Sequence, residues 1–370
     1  MKFLLIYVPN LRFSQSNCKL EAKCLEQVSS YFKSGKNISS SKIESTGIYP
    51  VYGGNGLRGY TKEFNHTGLS ILIGRQGALC GNVKIVDGKY YATEHAIVVK
   101  NNQYADLYYL AYLLMSMHLE RESDQSAQPG LAVNKIIQLK AMFPPIDEQQ
   151  KIGMFLHILD ERIQTQNKII DDLLTVKNGI SNKLFKLQQI ELSNHCLSEY
   201  LTEGDKTAVD TSCYKKITVK LNKQGLAFSE LNREMADSRP FYVRHKGELI
   251  IGKQNYFNGS IAVVTEQFDN CICSNAIMSF KINNIDSDFL YYQISNNNYL
   301  NSQSYKANGT GQKELSEKEF LNFKIWRPHL EVQQKIVNCF KSFDLKIKNE
   351  KAILDSYIQE KNYLLNNLFI

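Results

Sequence analysis

Two short stretches place a cation and an amide directly after an apolar run. Ser70-Ile71-Leu72-Ile73-Gly74 leads into Arg75 and Gln76, and Leu249-Ile250-Ile251-Gly252 leads into Lys253, Gln254 and Asn255. Such a run reads as a buried strand ending in a turn, so the polar pair emerges at a strand exit. Guanidinium and ammonium groups neutralise phosphates, and Arg, Lys, Asn and Gln on loops can bond base edges. Arg58 and Lys62, near the glycines of Gly53-Gly54-Asn55-Gly56, and Lys220, Lys223 and Arg244 add cations of the same kind. For each of them the plain alternative is a solvated side chain. Arg75 with Lys253 and Gln76 with Gln254 stand out because both stretches keep the residue type.

Other chemistries fit poorly. Gly54 to Gly59 spells GxGxxG, but a dinucleotide fingerprint must open a helix. Tyr60-Thr61-Lys62-Glu63-Phe64 has no helical apolar face, so a glycine-rich loop between short strands is expected. Gly74, Gly252, Gly81 and Gly259 read as turn glycines. A methyltransferase would need an Asn/Asp-Pro-Pro-aromatic motif, whereas Pro144-Pro145 lies between Phe143 and Ile146. No GxxxxGK[ST] phosphate loop occurs. The 8 cysteines form no CxxC pair and the 7 histidines show no ligand spacing. The thiols read as reduced in a cytoplasmic protein, with no metal and no catalytic residue expected.

The elements that must position these residues come in two copies. Pro144-Pro145-Ile146-Asp147-Glu148-Gln149-Gln150-Lys151-Ile152 opens an amphipathic run with apolar positions at Ile152, Leu156, Leu159, Ile163, Ile170, Leu173, Ile180 and Leu184. Their alternating steps of four and three are the seam of a coiled coil, interrupted by Gln166 and Lys177. At an offset of 184, fourteen positions from Pro328 to Phe369 agree in identity or class, and the interruptions recur as Glu350 and Lys361. So long a period means duplicated domains. The expected helix from Glu148 to Phe185 is about 57 Å long at 1.5 Å per residue. An Asp147–Gln150 capping box is expected at its start. The weaker motif Arg327-Pro328-His329-Leu330-Glu331-Val332 opens the second helix. Upstream, His95-Ala96-Ile97 matches Asn275-Ala276-Ile277, and Leu107-Tyr108-Tyr109 matches Leu290-Tyr291-Tyr292 as helix starts. An extended opening at Val8 to Phe13, a helix around Cys24 to Phe32, and strands near Gly81 to Val86 and Ala96 to Val99 complete the first copy. Residues 200 to 247 have no counterpart in it.

Two like units in tandem bring their closing helices together antiparallel about a pseudo-twofold axis, so facing residue numbers share one sum. A sum of 527 sets Lys177 by Glu350 and Gln166 by Lys361. It also sets Leu159 by Leu368, Ile163 by Leu364, Ile170 by Tyr357, Leu173 by Leu354, Ile180 by Ile347 and Leu184 by Phe343. The expected class is α+β, with two similar mixed α/β domains, each followed by a long helix. The boundaries are 1–143, 144–190, 191–327 and 328–370.

Composition agrees with two ordinary domains: 43% hydrophobic and 22% charged over 370 residues. No apolar run approaches a membrane span. Of the net charge of +7, residues 1–143 carry +6, from 16 basic and 10 acidic side chains. Such a bias suits a polyanionic partner.

The duplicated helix opening, the helix closing on Lys183-Leu184-Phe185, and Tyr52-Gly53-Gly54-Asn55-Gly56 together resemble the specificity subunit of a type I restriction–modification system, over essentially the whole chain. The resemblance implies that each globular copy is a target recognition domain reading one half of a split sequence in double-stranded DNA. The paired helices would act as a spacer and dock methyltransferase subunits, two in number, with restriction subunits joining through them. S-adenosylmethionine would be held by the methyltransferase partner and no cofactor by this chain. The candidate DNA contacts are then Arg58, Lys62, Arg75, Gln76, Lys220, Lys223, Arg244, Lys253, Gln254 and Asn255. The helix-pairing residues are Leu159, Ile163, Gln166, Lys177, Glu350, Leu354, Lys361 and Leu364. Half-sites about one helical turn apart, ~34 Å, need such a rigid spacer. The rival readings are a coiled-coil adaptor without DNA affinity and a stand-alone DNA-modifying enzyme.

Overall fold

A computed structural model describes residues 20–123, 130–191, 195–229, 239–304 and 314–369, and side chains of the first long helix up to residue 184. The opening at Val8 to Phe13, Cys18 and the Phe185 side chain lie outside them. The chain divides into two compact units, residues 1–169 with 350–370, and residues 170–349.

The first unit is built on a four-stranded antiparallel sheet in the order Ser29–Ser34, Ala96–Asn101, Ser70–Gly74, Val83–Val86. Ile71, Ile73, Ile97 and Val99 face a core shared with the helix Leu107–Ser116, while Leu72, Val86 and Val98 join a second cluster with Tyr90 and Ala92. Burial on both faces explains the unbroken apolar runs, which alternation alone would not produce. A second four-stranded sheet runs in the order Gly56–Thr61, Tyr49–Gly53, Lys89–Ala92, His66–Thr67. The expected helix around Cys24 to Phe32 shrinks to one turn, Leu25–Val28, between the strands Glu21–Cys24 and Ser29–Ser34. A single turn holds Leu25 and Val28 inward while pairing claims both flanks.

The second unit repeats the first sheet, in the order Leu201–Glu203, Ile277–Ile282, Leu249–Gly252, Ile261–Val263. Leu249, Ile251, Met278 and Phe280 pack on the side of the helix Ser287–Ile294, and Ile250 packs with Ala262 and Cys273 opposite. The ladder sets Gly252 opposite Ile277 and Gly74 opposite Ala96, so His95 corresponds to Ala276, one residue from the sequence match. Where the repeat breaks, two-stranded pairs stand in for the other sheet: Ile217–Val219 with Leu226–Phe228, and Phe241–Arg244 with Cys271–Ser274.

The long helices are Ile146–Glu191, 46 residues, and Leu330–Leu368, 39 residues, the first longer at both ends than expected. Asp147 lies inside the first helix, so it cannot cap it. Gln149 does the fastening instead. Buried at 1% exposure, it accepts from the Asp106 backbone N–H at 3.0 Å and donates to the Pro144 carbonyl at 2.9 Å. Gln333 repeats this with Asp286 at 2.9 Å and Pro328 at 2.8 Å. Asp106 and Asp286 in turn cap the domain helices through Tyr109 N–H and Phe289 N–H.

Each unit contains part of both long helices. In the first, Ile152 and Leu156 share a core with Leu368 and Phe369, Leu364 packing against it. The Gln166 amide donates to the Glu350 carboxylate at 2.5 Å and to its carbonyl at 3.1 Å, and Lys361 meets Asp160 at 2.5 Å. Numbers rise along one helix as they fall along the other, so this pairing is antiparallel. In the second unit Lys177 meets Asp344. The expected facings, Lys177 by Glu350 and Gln166 by Lys361, are therefore incorrect. Both ion pairs have residue numbers adding to 521, about one heptad short of 527. The expectation counted seam residues alone, whereas the lysines' long stems reach past the seam to aspartates flanking it. Ile180, expected in the seam, is 37% exposed.

Candidate nucleic-acid interface

In the first unit three loops meet at the strand exits. The strands Tyr49–Gly53 and Gly56–Thr61 form a hairpin, so the GxGxxG stretch is the turn Gly54-Asn55 followed by the start of the second strand. A Cβ on Gly54 would lie 2.4 Å from the Gln76 carbonyl oxygen, and one on Gly74 would lie 2.5 Å from that of Gly54. Only glycine permits this approach. Arg58 reaches back across the turn, its Cδ 2.6 Å from where a Gly53 Cβ would stand. Arg75 donates from Nη1 to the Glu94 carbonyl at 3.4 Å. Arg58, Arg75 and Gln76 are thus brought together, with Arg58 and Gln76 exposed and Arg75 half-buried. Lys62 is exposed at the end of its hairpin strand, next to Glu63, which pairs with Lys42.

The strand exit of the second unit has the same backbone. Arg75 donates its N–H to the His95 carbonyl and accepts from Leu131; Lys253 donates to Ala276 and accepts from Leu315, all at 2.9–3.0 Å. Beyond it, the tip of the Ile217–Val219/Leu226–Phe228 hairpin is bonded to the next turn, Asn222 to Asn258 and Lys223 to Gly259. Gly259 has φ +76°, a left-handed turn position, as has Gly81 at +87°. Lys220, Lys223, Gln254 and Asn255 therefore share one locality. Lys220, Gln254 and Asn255 are exposed. Lys223 is half-buried and donates to Asn297 at 2.6 Å; burial first, and the Lys177 ammonium second, hold its pKa below the usual lysine range.

Arg244 is the correction. It is 2% exposed, with Nε on the Cys273 sulfur at 3.0 Å and Nη1 on the Asp205 carbonyl at 2.9 Å. It holds strands together rather than meeting a ligand from its exposed surface. It lines a polar recess of about 220 Å³ together with Lys206, Tyr242, Lys253, Asn275 and Glu317. There the bonds of Lys206 to Glu203 at 2.7 Å, first, and to Glu317 at 2.5 Å raise its pKa, while Lys253 stands 3.8 Å from Glu317. Among the described residues no cluster of three His, Cys, Asp or Glu side chains could hold a metal, and no helix is long and apolar enough to cross a membrane.

A profile of the type I restriction modification DNA specificity domain matches residues 17–175 and again 200–356. The chain belongs to that family. Its relatives include the type I restriction enzyme EcoprrI specificity subunit of Escherichia coli, 37% identical over 49% of this chain and 45% of that one. The chain thus spans under half of that relative. The MjaVIII specificity subunit of Methanocaldococcus jannaschii is 24% identical over 70% of this chain and 68% of its own length. Among solved structures, a type I restriction-modification S subunit from M. genitalium superposes with TM-score 0.70 at 19% identity, covering 98% of this chain and 99% of that one. At that identity the likeness concerns fold. The two profile matches coincide with the two copies of the sheet, so the duplication read at an offset of 184 is a duplication of specificity domains.

In this specificity chain, sequence reasoning missed Lys206, Asn275 and Glu317, which come from three separate segments and meet only when the sheet assembles. It also missed Asp160 and Asp344. Their repeat at the same offset was visible, but their flanking position hid their role.

Proposed function

We propose that this chain is the DNA-reading subunit of a type I restriction–modification complex, with residues 1–143 and 191–327 as two recognition domains. Each reads one half of a bipartite target. The observation that carries this reading is the shared backbone clamp around Arg75 and Lys253, which presents a cation and a glutamine at the same strand exit in two otherwise different surroundings. A common framework with divergent loops is what two independent half-sites require. The helices support docking of methyltransferase subunits, two in number, through apolar positions left exposed, such as Met154, Phe155, Ile158, Leu345 and Ile353. Restriction subunits join through those partners, which hold the S-adenosylmethionine. The chain itself is non-catalytic and acts by positioning.

The test is a DNA shift assay of this chain with its methyltransferase partner across a salt series. Binding that weakens steeply with salt and prefers one split sequence supports the reading; salt-independent or absent binding favours a plain adaptor. Methyl transfer or cleavage by the purified chain alone overturns the non-catalytic assignment.

A further inference from the structure

Both units contain the same three-residue cluster, assembled from three segments. In the first, the buried Tyr112, on the domain helix Leu107–Ser116, donates its hydroxyl to Asp160 of the first long helix at 2.8 Å. The other oxygen of Asp160 takes Lys361 of the second long helix at 2.5 Å, and that ammonium lies 5.6 Å from the Tyr112 ring centre. In the second unit Tyr292, on Ser287–Ile294, donates to Asp344 of the second long helix at 2.7 Å. The other oxygen of Asp344 takes Lys177 of the first, 5.5 Å from the Tyr292 ring centre. Asp160 and Asp344 are 184 residues apart, as are Lys177 and Lys361, so the duplication has kept the cluster and exchanged the helix that supplies each lysine.

Apart from the Gln166–Glu350 step, the seam cannot choose a register alone, because Leu, Ile and Phe recur in most of its heptads and a slip of seven residues again sets apolar against apolar there. The clusters can. Each aspartate is held to its own domain by tyrosine and to the opposite helix by lysine, and after a heptad slip neither lysine finds its carboxylate. Such a slip moves one helix along the other by about 10.5 Å, roughly three base pairs of DNA at ~3.4 Å each.

Resting on the bipartite reading above, we propose that Tyr112–Asp160–Lys361 and Tyr292–Asp344–Lys177 are positioning residues that fix one register of the helix pair, and so set the number of unspecified base pairs between the half-sites. They touch no base and leave the half-site sequences alone.

The experiment is methylation profiling of cells expressing the full chain with its methyltransferase partner. Wild type is compared with the double variant Asp160→Asn/Asp344→Asn, which keeps an acceptor for each tyrosine and removes both ion pairs. The expected result is unchanged half-sites with methylation spreading, at least ten-fold over wild type, to targets with spacers altered by one to three base pairs. Unchanged spacing with a lowered melting temperature makes the clusters merely structural and overturns the inference. Should the double variant methylate nothing, the full charge exchange decides (Asp160→Lys with Lys361→Asp, Asp344→Lys with Lys177→Asp). Recovery of the native spacing supports the proposal, and failure to recover overturns it. A wild-type methylome without a split motif overturns the recognition reading itself, whereas a split wild-type motif with variant spacing unaltered overturns this inference alone.

Discussion

Arg58 and Arg244 have the same side chain in this protein and opposite fates. Arg244 is enclosed, its guanidinium bonded to Cys273 and Asp205. Arg244→Ala removes those bonds and the packing of its stem, and should cost about 2–4 kcal/mol of stability, read by urea unfolding. Arg58→Ala at its exposed place on the hairpin strand should stay within about 0.5 kcal/mol. It should instead weaken DNA binding and lower the salt slope by about one if it meets a phosphate. An unchanged slope with weaker binding to one sequence alone would assign it to a base edge. The cluster tyrosines give a pH signature. Burial first, and then the bond to Asp160 or Asp344, raise the pKa of Tyr112 and Tyr292 well above the usual tyrosine value. A raised folded-state pKa contributes stability that is intact below about pH 10, the unfolded value. It is lost as pH climbs above that. The melting temperature should fall between pH 10 and 11, and fall less in Tyr112→Phe/Tyr292→Phe.

At the scale of the element, Gly153 shows how closely the first long helix meets its domain. A Cβ there would lie 2.6 Å from the Tyr109 backbone nitrogen and 2.7 Å from an Asp106 carboxylate oxygen. Alanine favours a helix over glycine by up to about 1 kcal/mol, but the obstacle is backbone at a helix cap. Gly153→Ala should therefore destabilise the protein by roughly 1–3 kcal/mol, seen in thermal melts. Gln166, 7% exposed, and Glu350 form the polar step inside the seam. Gln166→Leu alone strands a carboxylate and should destabilise, whereas Gln166→Leu/Glu350→Leu should be neutral or stabilising. A double variant as unstable as the single would show that the pair contributes more than mutual satisfaction. Elements of this kind were partly legible in the sequence. The strands ending at Gly74 and Gly252, the hairpin turn at Gly53 to Gly56 and the openings of both long helices follow from local apolar runs, glycines and period. Gln149 and Gln333 did not, because each fastens to a backbone N–H more than forty residues away. The register failed for the same reason: it turns on two aspartates beside the seam, and only packed helices show which flanking residue a lysine reaches.

At the scale of the whole molecule, duplication was the most legible feature, since one offset carries the helix openings, the seam and the aspartates and lysines of the clusters together. Divergence was legible only as a gap in the match between residues 200 and 247; in place of the second sheet of the first unit the second unit has one hairpin and one pair of strands distant in sequence. Loop readout has no transferable code, so neither the target bases nor the lining of the Lys206–Glu317 recess could be read ahead of the fold. The architecture does predict independence of the heads. Exchanging residues 1–143 for the corresponding domain of another family member should change one half-site and leave the other intact, with the stretch between them unaltered. Change in both halves would mean that the domains read together. The most direct measurement is long-read methylation profiling of a cell expressing this chain with its methyltransferase partner. The account predicts one motif made of two short defined elements separated by a fixed number of unspecified base pairs. A contiguous or palindromic methylated motif would contradict it.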